Sequence, residues 1–153
     1  MAEGEKTVAN NRAAYHDYFI LDKTEAGIEL LGTEVKSLRE GKVNIKDGFV
    51  RIENRQAFLE NVHIQPWKAG NRQNHEPTRS RRLLMHRGEI LELFNKVRQQ
   101  GLTLVPLRLY FRNGRAKVEV ALVKGKRAWD KRQSIAQRDA KREMQRALRR
   151  ETR

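Results

Sequence analysis

The stretch that decides the fold is GLTLVPLRLYFRNGRAKVEVALVKG, residues 101–125. Two largely apolar runs flank Asn113-Gly114, a dipeptide suited to a two-residue turn because both of its residues must adopt positive φ. The runs therefore predict an antiparallel hairpin. Pro106 lies inside the first run and has no N–H to donate, so we expect an edge strand or a bulge there.

Two short helices are predicted upstream of this hairpin. In EILELFNKVRQQ, residues 89–100, apolar side chains recur every three or four positions, and Gly101 follows as a helix-ending residue. In GTEVKSLREG, residues 32–41, the same spacing of Leu31, Val35 and Leu38 predicts a shorter helix that ends near Gly41.

The remaining apolar runs are short and predict strands. HDYFIL (16–21) and GIELL (27–31) are two candidates, separated by the polar segment DKTEAG as a turn. FVRIE (49–53) and AFLENVHI (57–64) alternate and predict a second hairpin. About six short strands predict a mainly β fold with short flanking helices. A small OB-like barrel is the natural candidate, because closure removes exposed strand edges.

Composition and charge reduce the number of possible classes of function. The chain has 153 residues and a formal net charge of +14, and it contains no cysteine. It has no apolar run long enough to span a membrane and no secretory signal pattern, and the absence of cysteine fits an intracellular, reducing compartment. The positive charge favours a polyanion as partner, nucleic acid first and an anionic membrane surface second. The apolar stripe of residues 136–148 is narrower than a membrane helix needs, so we expect no membrane partner. We expect a flexible N-terminus (1–10), a barrel (11–125) and a basic tail (126–153).

The sequence offers little catalytic chemistry. The four histidines fit no zinc-ligand spacing, and no nucleotide-binding or nucleophile motif is present. We therefore expect no metal, no cofactor and no enzymatic activity.

Three groups of residues are suited to bind RNA. Lys36 and Arg39 lie on one face of the shorter helix, where they form either a solvated face or a phosphate contact. The basic stretch 68–87 predicts a long exposed loop, and its polar cluster suits phosphate, 2′-hydroxyl and base-edge contacts. That cluster is Asn71, Arg72, Asn74 and His75.

The third group is the tail. Residues 124–153 carry a net charge of +8 and few large apolar side chains, so we expect disorder in the free protein. A narrow stripe of small and apolar residues at helical spacing predicts a helix on an anionic partner. Trp129 has no core to join there, and a stacking role on a base is physically reasonable.

The motifs together resemble the SsrA-binding proteins, the small protein B family. The resemblance rests on NRxxxHDYFI, EAGIEL-x-GTEVKSLR-x-GKVN, GNRxNHxPxRxRxLL, the stretch 101–126 and WDKR, from Asn11 to Arg132. It implies a bacterial, cytoplasmic protein with an OB-type barrel, and we separately expect a monomer. The implied partners are the tRNA-like part of transfer-messenger RNA and ribosomes stalled on messages without a stop codon. The tail would become helical in the decoding centre and the empty messenger path.

The resemblance also assigns residues. It ties Asn11, Arg12, Glu25, Leu84 and His86 to RNA binding, and it supports the cluster of the basic loop. A carboxylate such as Glu25 would orient a neighbouring arginine or accept a hydrogen bond from the RNA. Asp130, Lys131 and Arg132 match a motif needed on the ribosome. We assign the remaining tail residues to the same contact with the ribosome. They are Trp129, Arg138, Lys141, Arg142 and Leu148.

Some positions depart from the family pattern, and another class of function stays open. Relatives often carry basic residues where Ala13 and Ala14 stand, and usually lysine at Arg82. Gly88 is a poor helix former at the start of the second helix. The composition also fits a structural ribosomal or ribosome-assembly protein with an OB barrel.

Overall fold

A computed structural model describes residues 5–68, 74–126 and 141–147. Its elements run in the order β1 Glu5–Asn10, α1 Arg12–Asp17, β2 Tyr18–Ile28, α2 Gly32–Arg39, β3 Val43–Asn44, β4 Phe49–Glu53, β5 Gln56–Glu60, β6 His63–Ile64, β7 Arg81–Leu84, α3 Arg87–Gln100, β8 Thr103–Arg112 and β9 Arg115–Gly125. Both predicted helices and both predicted hairpin turns are present. The strand expected at 57–64 ends at Glu60, and His63–Ile64 pairs with β3 instead; the strand expected at 27–31 ends at Ile28.

The sheet curls into a barrel. Seven of its strands follow the order β1-β8-β9-β2-β7-β5-β4, and β3 pairs separately with β6. All pairings are antiparallel. β4, at one end of this order, also approaches β8 near the other end. This confirms the mainly β class with short helices, although there are more strands than the six expected.

The β8–β9 hairpin supplies two long strands of the barrel. Asn113 and Gly114 adopt φ of 51° and 78°, as the sequence predicts for the turn. The strand register shifts between Pro106 and Arg108. Pro106 therefore occupies a bulge, in a part of β8 that lies outside the pairing of β1 with Arg108–Arg112.

Three expectations for the N-terminal third were wrong. Residues 5–10 are not a flexible terminus: they form β1, paired with β8, and their polar composition suits a strand at the edge of the sheet. His16 belongs to α1 and not to a strand. The polar segment 22–27 is not a turn but the middle of β2, paired with β9, and it is polar because most of its side chains face solvent.

The basic stretch 68–87 is only partly a loop. Within it, Arg81–Leu84 forms β7 between β2 and β5, with residues alternately buried and exposed. The sequence conceals this strand because its first inward side chain is Arg81, a residue that is almost never fully buried without a partner.

Arg81 is fully buried against an equally buried carboxylate, Glu34. Its Nε donates to Glu34 Oε2, and its two terminal nitrogens donate to the Val62 and Pro77 carbonyls at 2.8 and 3.0 Å. Arg79 Nη2 donates to Glu34 Oε1 at 2.6 Å, and the Leu31 N–H donates to the same oxygen at 2.8 Å. One carboxylate thereby joins α2, β7 and the chain before β7.

This network keeps Glu34 ionised. Burial alone would raise the pKa of Glu34, but the hydrogen bonds from Arg79, the Leu31 N–H and Arg81 outweigh burial and lower it below 4.5. Because the pKa of Glu34 is lower in the folded than in the unfolded protein, the ionised carboxylate stabilises the fold at pH values above the pKa of the unfolded state. This stabilisation is lost as the pH falls through the pKa of the folded state.

We expect Arg81→Met to destabilise the protein by about 3–5 kcal/mol, because it leaves the Glu34 charge buried without its closest partner. The double variant Glu34→Met/Arg81→Met should recover much of that loss, since no uncompensated charge remains. Urea unfolding at pH 7 measures both free energies. A double variant no more stable than the single one would contradict the ion-pair account. Acid unfolding supplies a control, because the double variant should lose less stability than the wild type below pH 4.5.

Candidate RNA interface

Three segments distant in sequence form one open cleft of about 560 Å³ on the barrel surface. β2 supplies Glu25, β7 ends at Leu84, and His86 precedes α3. The structure thus brings together three residues that the sequence had assigned to RNA binding. Four cations line the same cleft, namely Arg55, Arg82, Arg87 and Lys117, against two carboxylates, Glu25 and Glu89.

The strand geometry of β7 explains how Leu84 and Arg82 reach the cleft. Successive side chains on a strand point to opposite faces. Arg81 and Leu83 are buried, so Arg82 and Leu84 point outward, and Leu84 is 52% exposed. Leu84 lies opposite Gly27 of β2, where an added Cβ would come within 3.2 Å of the Leu84 Cβ. The glycine therefore leaves room for the outward leucine.

His86 is available to a ligand. It occupies the N-cap position of α3, yet its side chain makes no capping hydrogen bond. Its ring is 92% exposed, with Nε2 3.9 Å from Glu89 Oε1. The imidazole can therefore stack on a base or contact a phosphate without giving up an internal bond.

Glu25 pairs with an arginine and a tyrosine. Its Oε2 lies 2.6 Å from Arg112 Nη1 and accepts a hydrogen bond from the Tyr110 hydroxyl. The guanidinium groups of Arg108 and Arg112 lie 4.0 and 5.4 Å from the Tyr110 ring centre. Burial, followed by the bond to Glu25, raises the pKa of Tyr110, which therefore stays a donor.

The sequence pattern does not single out the four cations of the cleft as RNA ligands. Arg55 stands in a two-residue turn, where Asn54 and Arg55 adopt φ of 51° and 63°. Arg82 was noted only as a departure from the family's usual lysine. The outward position of Arg82 could have been found from the alternation in RRLL, but only if Arg81 had been recognised as buried.

A second concavity continues from the cleft past Leu84, which lines both. Phe111, Arg115 and Lys117 are among its other walls. The Arg39 guanidinium lies 5.5 Å from the Phe111 ring centre, so α2 borders this second concavity, and Lys36 is exposed on the same helix. Of the two predicted helix cations, Arg39 thus adjoins the second concavity.

Asn11 and Arg12 lie elsewhere. Asn11 lines a separate concavity of about 390 Å³ and is only 3% exposed. Its Oδ1 accepts from the Ala14 N–H at 3.2 Å, and its Nδ2 donates to the Pro106 carbonyl at 2.9 Å. Asn11 therefore caps α1 and bonds to the bulge of β8, which gives it a structural role. Arg12 is exposed.

Two residues predicted to contact RNA from the basic loop are held by the protein itself. His75 is 6% exposed, with Nδ1 2.8 Å from Thr33 Oγ1 and Nε2 2.8 Å from the Ile64 carbonyl. Asn74 binds both backbone groups of Trp67 through its side chain. Their polar atoms therefore already have partners within the protein, and direct contact with RNA stays a prediction for both residues. Asn71 and Arg72 lie outside the described residues.

Little of the tail is described. Residues 141–147 are helical, and all of them are exposed, including Lys141 and Arg142. The other tail residues assigned to the ribosome lie outside the described residues; they are Trp129, Asp130, Lys131, Arg132, Arg138 and Leu148.

Within the described ranges, no group of three or more histidine, aspartate or glutamate side chains is placed to hold a metal ion. The helices of those ranges include none that is long and apolar enough to cross a membrane. A small antiparallel barrel with a cation-lined cleft and a basic tail defines the class, an OB-like RNA-binding protein. Within that class the chain belongs to the SmpB family, because the family model "SmpB protein" matches residues 8–150.

Individual relatives agree with this membership. The chain is 60% identical over 147 residues to an SsrA-binding protein of Desulforudis audaxviator, covering 96% of each chain. It is 61% identical over 150 residues to one of Moorella thermoacetica, covering 97% of each. A solved chain described as "tmRNA-SmpB: a journey to the center of the bacterial ribosome" matches with a TM-score of 0.67 and 48% identity, over 83% of this chain and 93% of that one.

The role of Asn11 can be tested by comparing two neighbouring substitutions. Asn11→Ala should lower the free energy of unfolding by about 2 kcal/mol, because it removes a helix cap and leaves the Pro106 carbonyl without its donor. Arg12→Ala should change it by less than about 0.5 kcal/mol, since Arg12 is exposed. Urea unfolding measures both. If Asn11→Ala kept full stability and still lost RNA binding, Asn11 would contact the RNA directly.

Proposed function

We propose that the protein binds the tRNA-like domain of transfer-messenger RNA and delivers it to stalled ribosomes for trans-translation. The observation that carries this proposal is the convergence of Glu25, Leu84 and His86 in one cleft lined by four cations. The names of the relatives point the same way, since they are SsrA-binding proteins and one solved relative is described with tmRNA.

The cleft suits the shape of RNA. Side chains cannot read the deep, narrow major groove of an A-form helix, so proteins recognise such RNA through phosphates, 2′-hydroxyls and unpaired bases. Arg82, Arg87 and Lys117 supply cations for phosphates, and Leu84 and His86 supply surfaces for a base. Glu25 holds Arg112 in a fixed position at 2.6 Å, which lowers the entropy lost when that arginine binds.

The tail has a separate role in this proposal. It engages the decoding centre and the empty messenger path through Trp129, the Asp130–Lys131–Arg132 motif and the later basic residues. The helix at 141–147 supports a helical bound form, because it presents Lys141 and Arg142 to solvent without burying any side chain. On the ribosome this segment would meet ribosomal RNA.

The proposal places the protein in the bacterial cytoplasm as a monomer that binds RNA and catalyses no reaction. The alternative function, a structural ribosomal or ribosome-assembly protein, differs in what it binds. A structural protein would be present on every ribosome and would show no preference for an RNA with a tRNA-like end. A rescue factor would be scarce, and it would be enriched on stalled ribosomes.

Capture of cellular RNA on the tagged full-length protein, with washes of increasing salt, tests the proposal. Transfer-messenger RNA should survive washes that remove other RNA, because nonspecific phosphate contacts weaken steeply with salt. Arg82→Ala and Lys117→Ala should each weaken binding and reduce the slope of log affinity against log salt by about one. Retention of ribosomal RNA alone, lost at high salt, would favour the ribosomal-protein alternative.

Lys96→Ala is the matched control for these substitutions. Lys96 lies on α3 outside the cleft, where it pairs with Glu92 at 3.1 Å. This substitution removes one positive charge, as the two cleft substitutions do, but should leave the salt slope unchanged. An equal loss of slope for all three variants would mean that net charge, and not the cleft, determines affinity.

Truncation after Gly125 should separate the two roles. The shortened protein keeps the barrel and should bind transfer-messenger RNA with unchanged affinity, because the cleft is intact. It should fail to support tagging of incomplete proteins on stalled ribosomes in a reconstituted translation reaction. Loss of tight RNA binding on truncation would show instead that the tail belongs to the RNA site.

A further inference from the structure

An apolar groove of about 550 Å³ lies beside the cleft, between α3 and the turn that joins β4 to β5. Ile52, Leu91 and Phe94 supply its apolar surface. Leu91 is 59% exposed, which is ordinary for a single surface leucine. The groove is unusual because two arginines, Arg55 and Arg87, stand at the rim of its apolar surface.

The groove and the cleft share a wall. Asn54, Arg55, Arg87 and Ile90 line both. Two members of this wall are arginines, and the residues that form the groove include no carboxylate. An occupant therefore meets apolar side chains inside and only positive charge at the edge.

Gly88 keeps this groove open. It lies in the first turn of α3, where a glycine weakens the helix. An added Cβ at Gly88 would meet no atom within 4 Å, so the protein's own packing does not require the glycine. Its φ is not in the left-handed region, so the backbone does not require it either. A larger side chain at this position would project into space that the groove leaves free.

We propose that the groove receives the base of one unpaired nucleotide, while the adjoining phosphates contact Arg55 and Arg87. The nucleotide belongs to the RNA that occupies the cleft, so this inference rests on the proposed function. The base would lie against Leu91 and Phe94. The side-chain amide of Asn54, which can donate and accept hydrogen bonds, would face the polar edge of the base.

Chemistry favours a nucleotide over an apolar protein side chain. A nucleotide combines a flat, weakly polar base with obligatory negative charge on both sides, which matches an apolar interior with a cationic rim. An apolar side chain of a protein partner carries no obligatory anion, so it would leave Arg55 and Arg87 without partners. The continuity of the groove with the cleft also lets one RNA strand reach both.

Two substitutions in the full-length protein test the groove without disturbing the fold. Leu91→Ala should weaken binding to transfer-messenger RNA about tenfold, because the base loses the apolar surface that Leu91 contributes to the groove. The salt slope should stay unchanged, because no phosphate contact is removed. Gly88→Leu should weaken binding similarly while raising the melting temperature, since leucine favours the helix and fills the groove.

The control for Leu91→Ala is Leu21→Ala, which truncates a leucine on β2 that is 52% exposed. The control for Gly88→Leu is Gln99→Leu, which adds a leucine at an exposed position of α3 outside the groove. Neither should change RNA affinity. If the Leu91 and Gly88 variants bind as tightly as the wild type does, the groove is not a nucleotide site, and the proposed function stands. If the wild type itself shows no preference for transfer-messenger RNA, the proposed function fails first.

Photo-crosslinking identifies the occupant directly. With p-benzoylphenylalanine in place of Leu91, irradiation of the complex should yield one RNA adduct at an unpaired nucleotide. An adduct to a second copy of the protein or to a ribosomal protein would overturn the proposal, and so would an RNA adduct spread over paired positions.

Discussion

A carboxylate with no solvent exposure, Glu34, is the constraint on which the rest of this structure depends. An ionised carboxylate is stable in such a place only when hydrogen-bonded cations surround it. Arg81 from β7 and Arg79 just before it supply those cations, and the Leu31 N–H completes the set. The helix that carries Glu34 is thereby fixed to a strand more than forty residues further along the chain.

This ion pair also explains which side chains line the cleft. A buried Arg81 sets the alternation of β7, so Arg82 and Leu84 must point outward. The opposing glycine of β2 leaves space for Leu84, and the chain then turns into α3 with the His86 ring exposed. A polar contact inside the barrel thus determines which residues form the cleft outside it.

The accuracy of the sequence predictions varied for physical reasons. The two hairpins and the longer helices follow from local signals, such as Asn113-Gly114 and the glycine after α3, and the structure has them where expected. The strands β1, β2 and β7 were missed or cut short because their polar residues pair with distant partners or face solvent. Hydrophobic periodicity detects strands that bury apolar side chains. A strand gives no periodic signal when its side chains are polar because they face solvent or form a buried ion pair.

The sequence by itself determined the class of the protein. Its charge, the Asn-Gly turn and the helix spacing are local or additive properties, so they can be seen without coordinates, and its motifs carried the family resemblance. Tertiary structure alone decided which polar residues are available to a ligand. Asn11, Asn74 and His75 belong to polar motifs, but their side chains are used within the protein, whereas Arg55, Arg82 and Lys117 line the cleft. Hydrogen bonding and burial depend on neighbours that only the folded chain brings together.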